Sequence, residues 1–171
     1  AEFPDTKFSI IDVSWLDAPN LRQYAFKEHE GSYIVGVAAA KASKTGKVGF
    51  VGGMDIGLIR RFGCGYVGGV KSVNANAEVY QNMTGTTPSA WNDPAKGAEL
   101  TQSQIDRGAD VVYHAAGGTG AGVIQAAADA GKPTATRAVV LPQQWEGNPG
   151  LLASVPQRPS PTPPFREPML L

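Results

Sequence analysis

The chain has 171 residues, 42% hydrophobic and 18% charged, with a formal net charge of zero. That length supports one domain with a buried core, and the charge balance excludes the basic footprint of a nucleic-acid or anionic-membrane binder. The single Cys64 excludes an internal disulfide and any multi-cysteine metal cage. No run reaches the roughly 18 apolar residues of a membrane span. The opening AEFPDTKFSI has neither the basic nor the apolar segment of a signal peptide. It leads almost directly into a strand pattern, so the natural N-terminus is expected further upstream.

In chain order, FSIIDV (8–13) is a short apolar run and the first predicted strand. EGSYIVGVAAAKAS (30–43) is a helix candidate, and KVGFVGG (47–53) the next strand. IGLIRRFGCGYVGGVKSV (56–73) reads as a helix, because Ile59, Phe62, Tyr66, Val70 and Val73 recur every three or four residues. Its five glycines each cost about 1 kcal/mol against alanine, so close packing on a neighbour is expected to offset them. AEVYQNM (77–83) is a strand, followed by a helix starting at NDPAKGAEL, where Asn92 or Asp93 can cap and Pro94 suits the first position. ADVVYHAA (109–116) is the last strand of this series. GVIQAAADAGKP is the last helix, with Thr119 as cap, Gly131 as stop and Pro133 beyond it. Strands alternating with helices predict an α/β fold, a parallel sheet with helices on both faces.

Residues 133–171 break the pattern. They hold nine of the 13 prolines and no sustained period. RPSPTPPFREP has the composition of a disordered or polyproline-like segment.

The glycine knot AAGGTGAG invites comparison with phosphate-binding loops. A dinucleotide fingerprint needs G-x-G-x-x-G, and Val123 occupies the third glycine position. A P-loop needs lysine after its last glycine. The gap Gly117 to Gly122 is right, but Val123 again stands in the required place. Two readings remain: a tight strand-to-helix turn whose glycines serve packing, or a site for an uncharged ligand that approaches bare backbone. Trp91 lies between a strand end and a capped helix start, where ligands of open α/β sheets bind. It can stack on a planar ligand or pack as a core residue, and position alone favours neither.

The catalytic inventory is thin. His29 lies in a charged, solvated run, and His114 ends a buried strand as a satisfied core or pocket histidine. Asp12, Asp17, Asp55 and Asp93 lack metal-loop spacing. Cys64, within a glycine-rich helix, reads as an inert buried thiol.

Five blocks in order, FKEHEGSYIVG, GKVGFVGGMDIGLIRRFGCGY, QNMTGTTPSAWNDPAKG, QIDRGADVVY and AAGGTGAGVIQAA, resemble the BMP (basic membrane protein) family. These are substrate-binding proteins of ABC importers, related to bacterial purine-nucleoside receptor lipoproteins. The likeness covers residues 4 to about 132. It implies a type I periplasmic-binding fold, in which two α/β lobes close on a ligand. Residues 1–132 would be the last strand of the first lobe followed by the second lobe. Carried over by position, Trp91 matches the aromatic that stacks on the base, Asp12 an acidic ligand contact, and Gly117 or Gly118 a backbone contact. The resemblance implies no catalysis, no cofactor and no metal. It implies a purine nucleoside as ligand and an ABC permease as partner, and a location in the periplasm or lipid-anchored outside the plasma membrane.

The departures are specific. A first-lobe segment with its own base-stacking aromatic should precede Ala1. A returning strand with a GVDS-like aspartate, and a later basic residue, should follow the AADAGK stretch, where the chain reads PTATRAVVLPQQWEG. Gly57 stands where proline is common. An out-of-frame translation of residues 133–171 would account for the abrupt change. The competing readings are a nucleotide enzyme built on the Gly117–Gly122 loop, and a small-molecule sensor with the same fold.

Overall fold

The computed structural model describes residues 2–130 and the backbone of residues 169–170. The expectations for Gly131, Pro133 and most of the proline-rich tail lie outside the described residues. The chain divides into two units, Ala1–Lys27 with Asn148–Leu171, and Glu28–Gly147.

In the first unit, β1 (Phe8–Ile11) and β2 (Leu21–Ala25) pair in parallel, from Phe8 opposite Leu21 to Ile11 opposite Tyr24. The two-residue strand Met169–Leu170 pairs with the end of β2. The loop between β1 and β2 is held by the buried Gln23. Its amide donates to the Leu16 carbonyl at 2.7 Å, and its Oε1 accepts from the Leu16 N–H at 2.8 Å. β2 escapes sequence reading because LRQYA has no β-branched residue and carries Arg22 and Gln23, both buried.

The second unit holds the main core. Strands β3 (Lys47–Met54), β4 (Glu78–Gly85) and β5 (Val111–Ala115) are parallel, in the order β4-β3-β5. Helices α1 (Glu28–Ala42), α2 (Gly57–Val73), α3 (Pro94–Asp106) and α4 (Gly120–Asp129) alternate with them. Side chains alternate across a strand, so Val48 and Phe50 join Val111 and Tyr113 against α1 and α2. Val51 and Val112 face the other way, onto Val123 of α4 and Leu100 of α3. Helices therefore cover both faces. That explains why every residue of β5 is buried and why β3 reads as one apolar run.

The glycines of α2 do what packing requires. A Cβ on Gly69 would collide with the Tyr33 carbonyl, one on Gly65 with that of His29, and one on Gly36 of α1 with that of Tyr66. The two helices meet backbone to backbone at these points. Beneath them Phe50, Tyr66 and Tyr113 form an aromatic cluster, with ring centroids 5.2–6.2 Å apart. Ile59, Tyr66 and Val70 are buried as the period predicts, while Val73 at the helix end is 42% exposed. Gly57 is the first residue of α2 and would meet nothing within 4 Å. That is the position where proline fits a helix.

The start of β5 is tied to the end of α1 by Asp110, which is 5% exposed. It accepts from the Ser43 hydroxyl and the Lys44 N–H at 2.6 Å, and from the Thr45 N–H at 2.9 Å. Burial alone would raise its pKa. The hydrogen bonds, led by Ser43, outweigh that and hold it below the ordinary carboxylate value.

Gly69→Ala should destabilise the second unit by about 1–3 kcal/mol, the usual cost of overpacking, while Gly57→Ala should leave the thermal midpoint unchanged or slightly raised. Equal effects of the two in thermal melts would refute the close-packing account. Asp110→Asn should cost about 1–3 kcal/mol. Because the folded pKa is depressed, the Asp110 contribution is present above the unfolded carboxylate pKa and lost as pH falls through the folded one. Denaturant melts of wild type and Asp110→Asn should therefore converge in acid.

Candidate ligand site at the strand ends

In open parallel sheets, ligands bind outside the carboxyl ends of the strands. Three features converge there in the second unit. Gly53 lies at the end of β3. After β4, a single 3-10 turn, Pro88–Trp91, leads to α3. After β5, a 3-10 turn, Gly117–Thr119, runs into α4.

Trp91 is half-buried and packs on the edge of the core. The benzo ring of its indole lies on Gly53, where any Cβ would collide with ring atoms Cε3 and Cζ3. The ring reaches this position only because β3 ends in bare backbone. A Cβ on Gly117 would lie 3.3 Å from the Trp91 carbonyl oxygen and 3.6 Å from the ring. Gly117 has φ +55°, in the left-handed region that favours glycine. Gly117 and Gly118 are both exposed. The first amides of a helical segment have no partner within it, so the turn is a source of backbone donors. Trp91, Gly117 and Gly118 thus lie together.

Asp12 belongs to the first unit. It is exposed, directly follows β1, and is held at φ +62° while its N–H donates to the Tyr24 carbonyl at 2.7 Å. A left-handed aspartate is uncommon, and its short polar side chain makes that conformation tolerable.

Asp93 is the cap of α3, its Oδ1 accepting from the Lys96 N–H at 2.9 Å, with Pro94 at the first helical position. Thr119 is not the cap expected for α4. It has helical backbone angles and makes no side-chain capping bond. Its hydroxyl instead donates to the Ala90 carbonyl at 2.8 Å and accepts from the Asp93 N–H at 2.7 Å. No sequence motif signals this bond, because it joins turns that follow two different strands. Gly53 was equally invisible as a site residue, since a strand glycine does not say which side chain it admits.

Val123, at the position a P-loop gives to lysine, is fully buried against the sheet in α4. Even with a longer side chain there, the position faces the core.

The sequence reading of two other residues needs correction. Cys64 is exposed, not a buried thiol. It borders an open, mainly apolar groove of about 710 Å³ along α1 and α2 with His29, Tyr33, Ile34 and Arg61. That groove is on the helix surface and includes neither Trp91 nor the glycine turn. His114 is buried, but neither ring nitrogen has a hydrogen-bond partner among the described residues. It packs under Gly120, and burial pushes its pKa down to about 4. It is a neutral core residue, without the partner that a satisfied core histidine or a general base would have. Among the described residues, no group of three or more His, Cys, Asp or Glu could hold a metal ion.

Comparison with known proteins decides the relationship. The family model for the ABC transporter substrate-binding protein PnrA-like group, Bmp, matches residues 1–136. The chain belongs to the Bmp family. A relative in Listeria innocua, named CD4+ T-cell-stimulating antigen, is 40% identical over 147 residues, covering 84% of this chain and 40% of that protein. The ABC transporter nucleoside-binding protein BmpA of Lactococcus lactis is 42% identical over 124 residues, covering 72% of this chain and 34% of that protein. The structure of an ABC transporter solute-binding protein from Aeropyrum pernix superposes with a TM-score of 0.69 at 30% identity, over 75% of this chain and 37% of that one. The fold is therefore that of the periplasmic solute-binding proteins, with part of a lobe pair present. The chain spans about 40% or less of the length of these curated relatives.

The neutral state of His114 is testable. Its native pKa lies below the ordinary 6.5, so the fold favours the uncharged ring. The associated stability is present above about pH 6.5 and lost as pH falls toward about 4. The His114 ring resonances should show no titration step between about pH 5.5 and 8. A midpoint near 6.5 would contradict its burial.

Proposed function

We propose that this chain supplies one wall of a ligand cleft in the substrate-binding component of an ABC importer, and that the ligand is a purine nucleoside held without catalysis. The observation that carries this reading is Trp91. Its ring is fixed on Gly53, left partly open, and set beside the exposed backbone of Gly117 and Gly118. An aromatic face beside backbone donors suits a flat, uncharged, hydrogen-bonding ligand. Stacking of a base on an aromatic side chain is worth about 1–3 kcal/mol. The name of the Lactococcus lactis relative, a nucleoside-binding protein, supports the same ligand class. Asp12 is the acidic contact in this reading, suited to accept from sugar hydroxyls. Capture proceeds by closure of two lobes, and the loaded protein delivers its ligand to a membrane permease. In this reading the protein works outside the plasma membrane, periplasmic or lipid-anchored.

The enzyme alternative is weaker, because the glycine turn offers no lysine to a phosphate and Val123 is a core residue. The two readings diverge in a thermal-shift experiment on a chain extended to the length of its relatives. Guanosine or adenosine should raise the melting temperature, and ATP and NAD should not. Stabilisation by ATP or NAD alone would contradict the receptor reading. Trp91→Ala in the same extended chain should weaken nucleoside binding about tenfold, roughly 1.4 kcal/mol. Unchanged affinity would make Trp91 a packing residue only.

A further inference from the structure

We propose that Thr119 is a positioning residue that locks the Trp91 turn to the Gly117–Gly118 turn, so that the stacking ring and the backbone donors form one rigid wall. The proposal rests on the nucleoside reading for its ligand, and on local geometry for the lock itself. Thr119 is fully buried. Its hydroxyl has one proton to give and gives it to the Ala90 carbonyl, while a lone pair accepts from the Asp93 N–H. Ala90 and Asp93 bracket Trp91 and Asn92, so a single oxygen grips the chain on both sides of the aromatic. The hydroxyl is not spent on capping its own helix, although Thr119 occupies the cap position of α4.

Close contacts complete the lock. A Cβ on Gly118 would lie 3.1 Å from Asn92 Oδ1 and 3.2 Å from the Trp91 carbonyl oxygen. A Cβ on Gly97 of α3 would collide with the Thr119 carbonyl. From the strand side, Thr84 Oγ1 lies 3.0 Å from both the Gly52 and the Ala90 carbonyl oxygens. The aromatic turn is thus held to β3 by Thr84 and to the glycine turn by Thr119. Removing the Thr119 hydroxyl leaves the Ala90 carbonyl without one of its donors and the Asp93 N–H without its acceptor. The two turns can then move apart while the sheet and its helices persist.

The test uses the 171-residue chain, labelled with ¹⁵N. The Trp91 indole N–H signal is assigned by its loss in Trp91→Phe, and guanosine at millimolar concentration is the probe. Thr119→Val, which keeps shape and removes the hydroxyl, should shift or broaden the Trp91 indole and Gly118 amide signals and abolish their response to guanosine. Thr119→Ser, which keeps the hydroxyl, should restore both. Wild-type positions and an undiminished guanosine response in Thr119→Val would overturn the proposal. If that variant does not fold, the wild type still decides. The Asp93 amide should exchange with solvent at least about tenfold more slowly than its unprotected rate, and exchange at the unprotected rate overturns the lock. If guanosine perturbs nothing in the wild type while Thr119→Val still displaces Trp91, the nucleoside reading fails and the lock stands.

Discussion

At the end of β3, Gly53 presents bare backbone to the indole of Trp91, and the site depends on that contact. A side chain at this position would push the ring off the strand end. The contact holds only if β3 is itself immobile. It is paired on both edges, by β4 and β5, and covered on both faces by helices. The rigidity comes from tight glycine-mediated helix packing on one side and from the small apolar cluster of Val51, Val112 and Val123 on the other. Thr84 and Thr119 then carry the position of β3 outward to the two turns. Each link is short-range, and together they fix an aromatic and a backbone turn that are 26 residues apart in sequence, from Trp91 to Gly117.

Much of the fold was legible in the sequence because periodic burial writes itself into residue order. β3, β4, β5 and the four helices appear within a few residues of their predicted bounds. The α2 period finds its buried face at Ile59, Tyr66 and Val70, and the cap and proline at Asp93 and Pro94 mark the start of α3 correctly. β2 was not legible, because its buried Gln23 satisfies a loop rather than a core and looks polar in sequence. The roles of Thr119 and Gly53 were hidden for a different reason. Both act across chain segments, and a sequence read locally credits a threonine before a helix with capping. Cys64 shows the reverse error. A cysteine in a glycine-rich helix looked buried, yet the glycines pack α1 elsewhere and the thiol faces out. His114 was placed correctly in the core, but its lack of a hydrogen-bond partner among the described residues is visible only in three dimensions.

The electrostatics of the strand ends fit an uncharged ligand. Asp55 is engaged by Arg60 in a two-point ion pair, with contacts of 2.7 and 2.9 Å, and Asp93 is committed to capping α3. These carboxylates serve the fold. The proposed wall is indole and peptide backbone, groups that discriminate by shape and hydrogen bonding. The chain belongs to the Bmp family of ABC transporter substrate-binding proteins and spans about 40% or less of its relatives' length, so the proposed wall is one part of a larger proposed site. In the first unit Phe3, Phe8, Ile11, Trp15 and Leu16 are all exposed.

The central claim is that the ends of β3 and β5 and the turn after β4 form the ligand wall. Amide chemical-shift mapping of the labelled chain against guanosine and ATP tests it most directly. The account predicts that guanosine perturbs Gly53, Trp91, Gly117 and Gly118 and that ATP does so no more strongly. Perturbation centred instead on the α1–α2 groove around His29, Tyr33 and Cys64, or a response at the glycine turn to ATP alone, would contradict it.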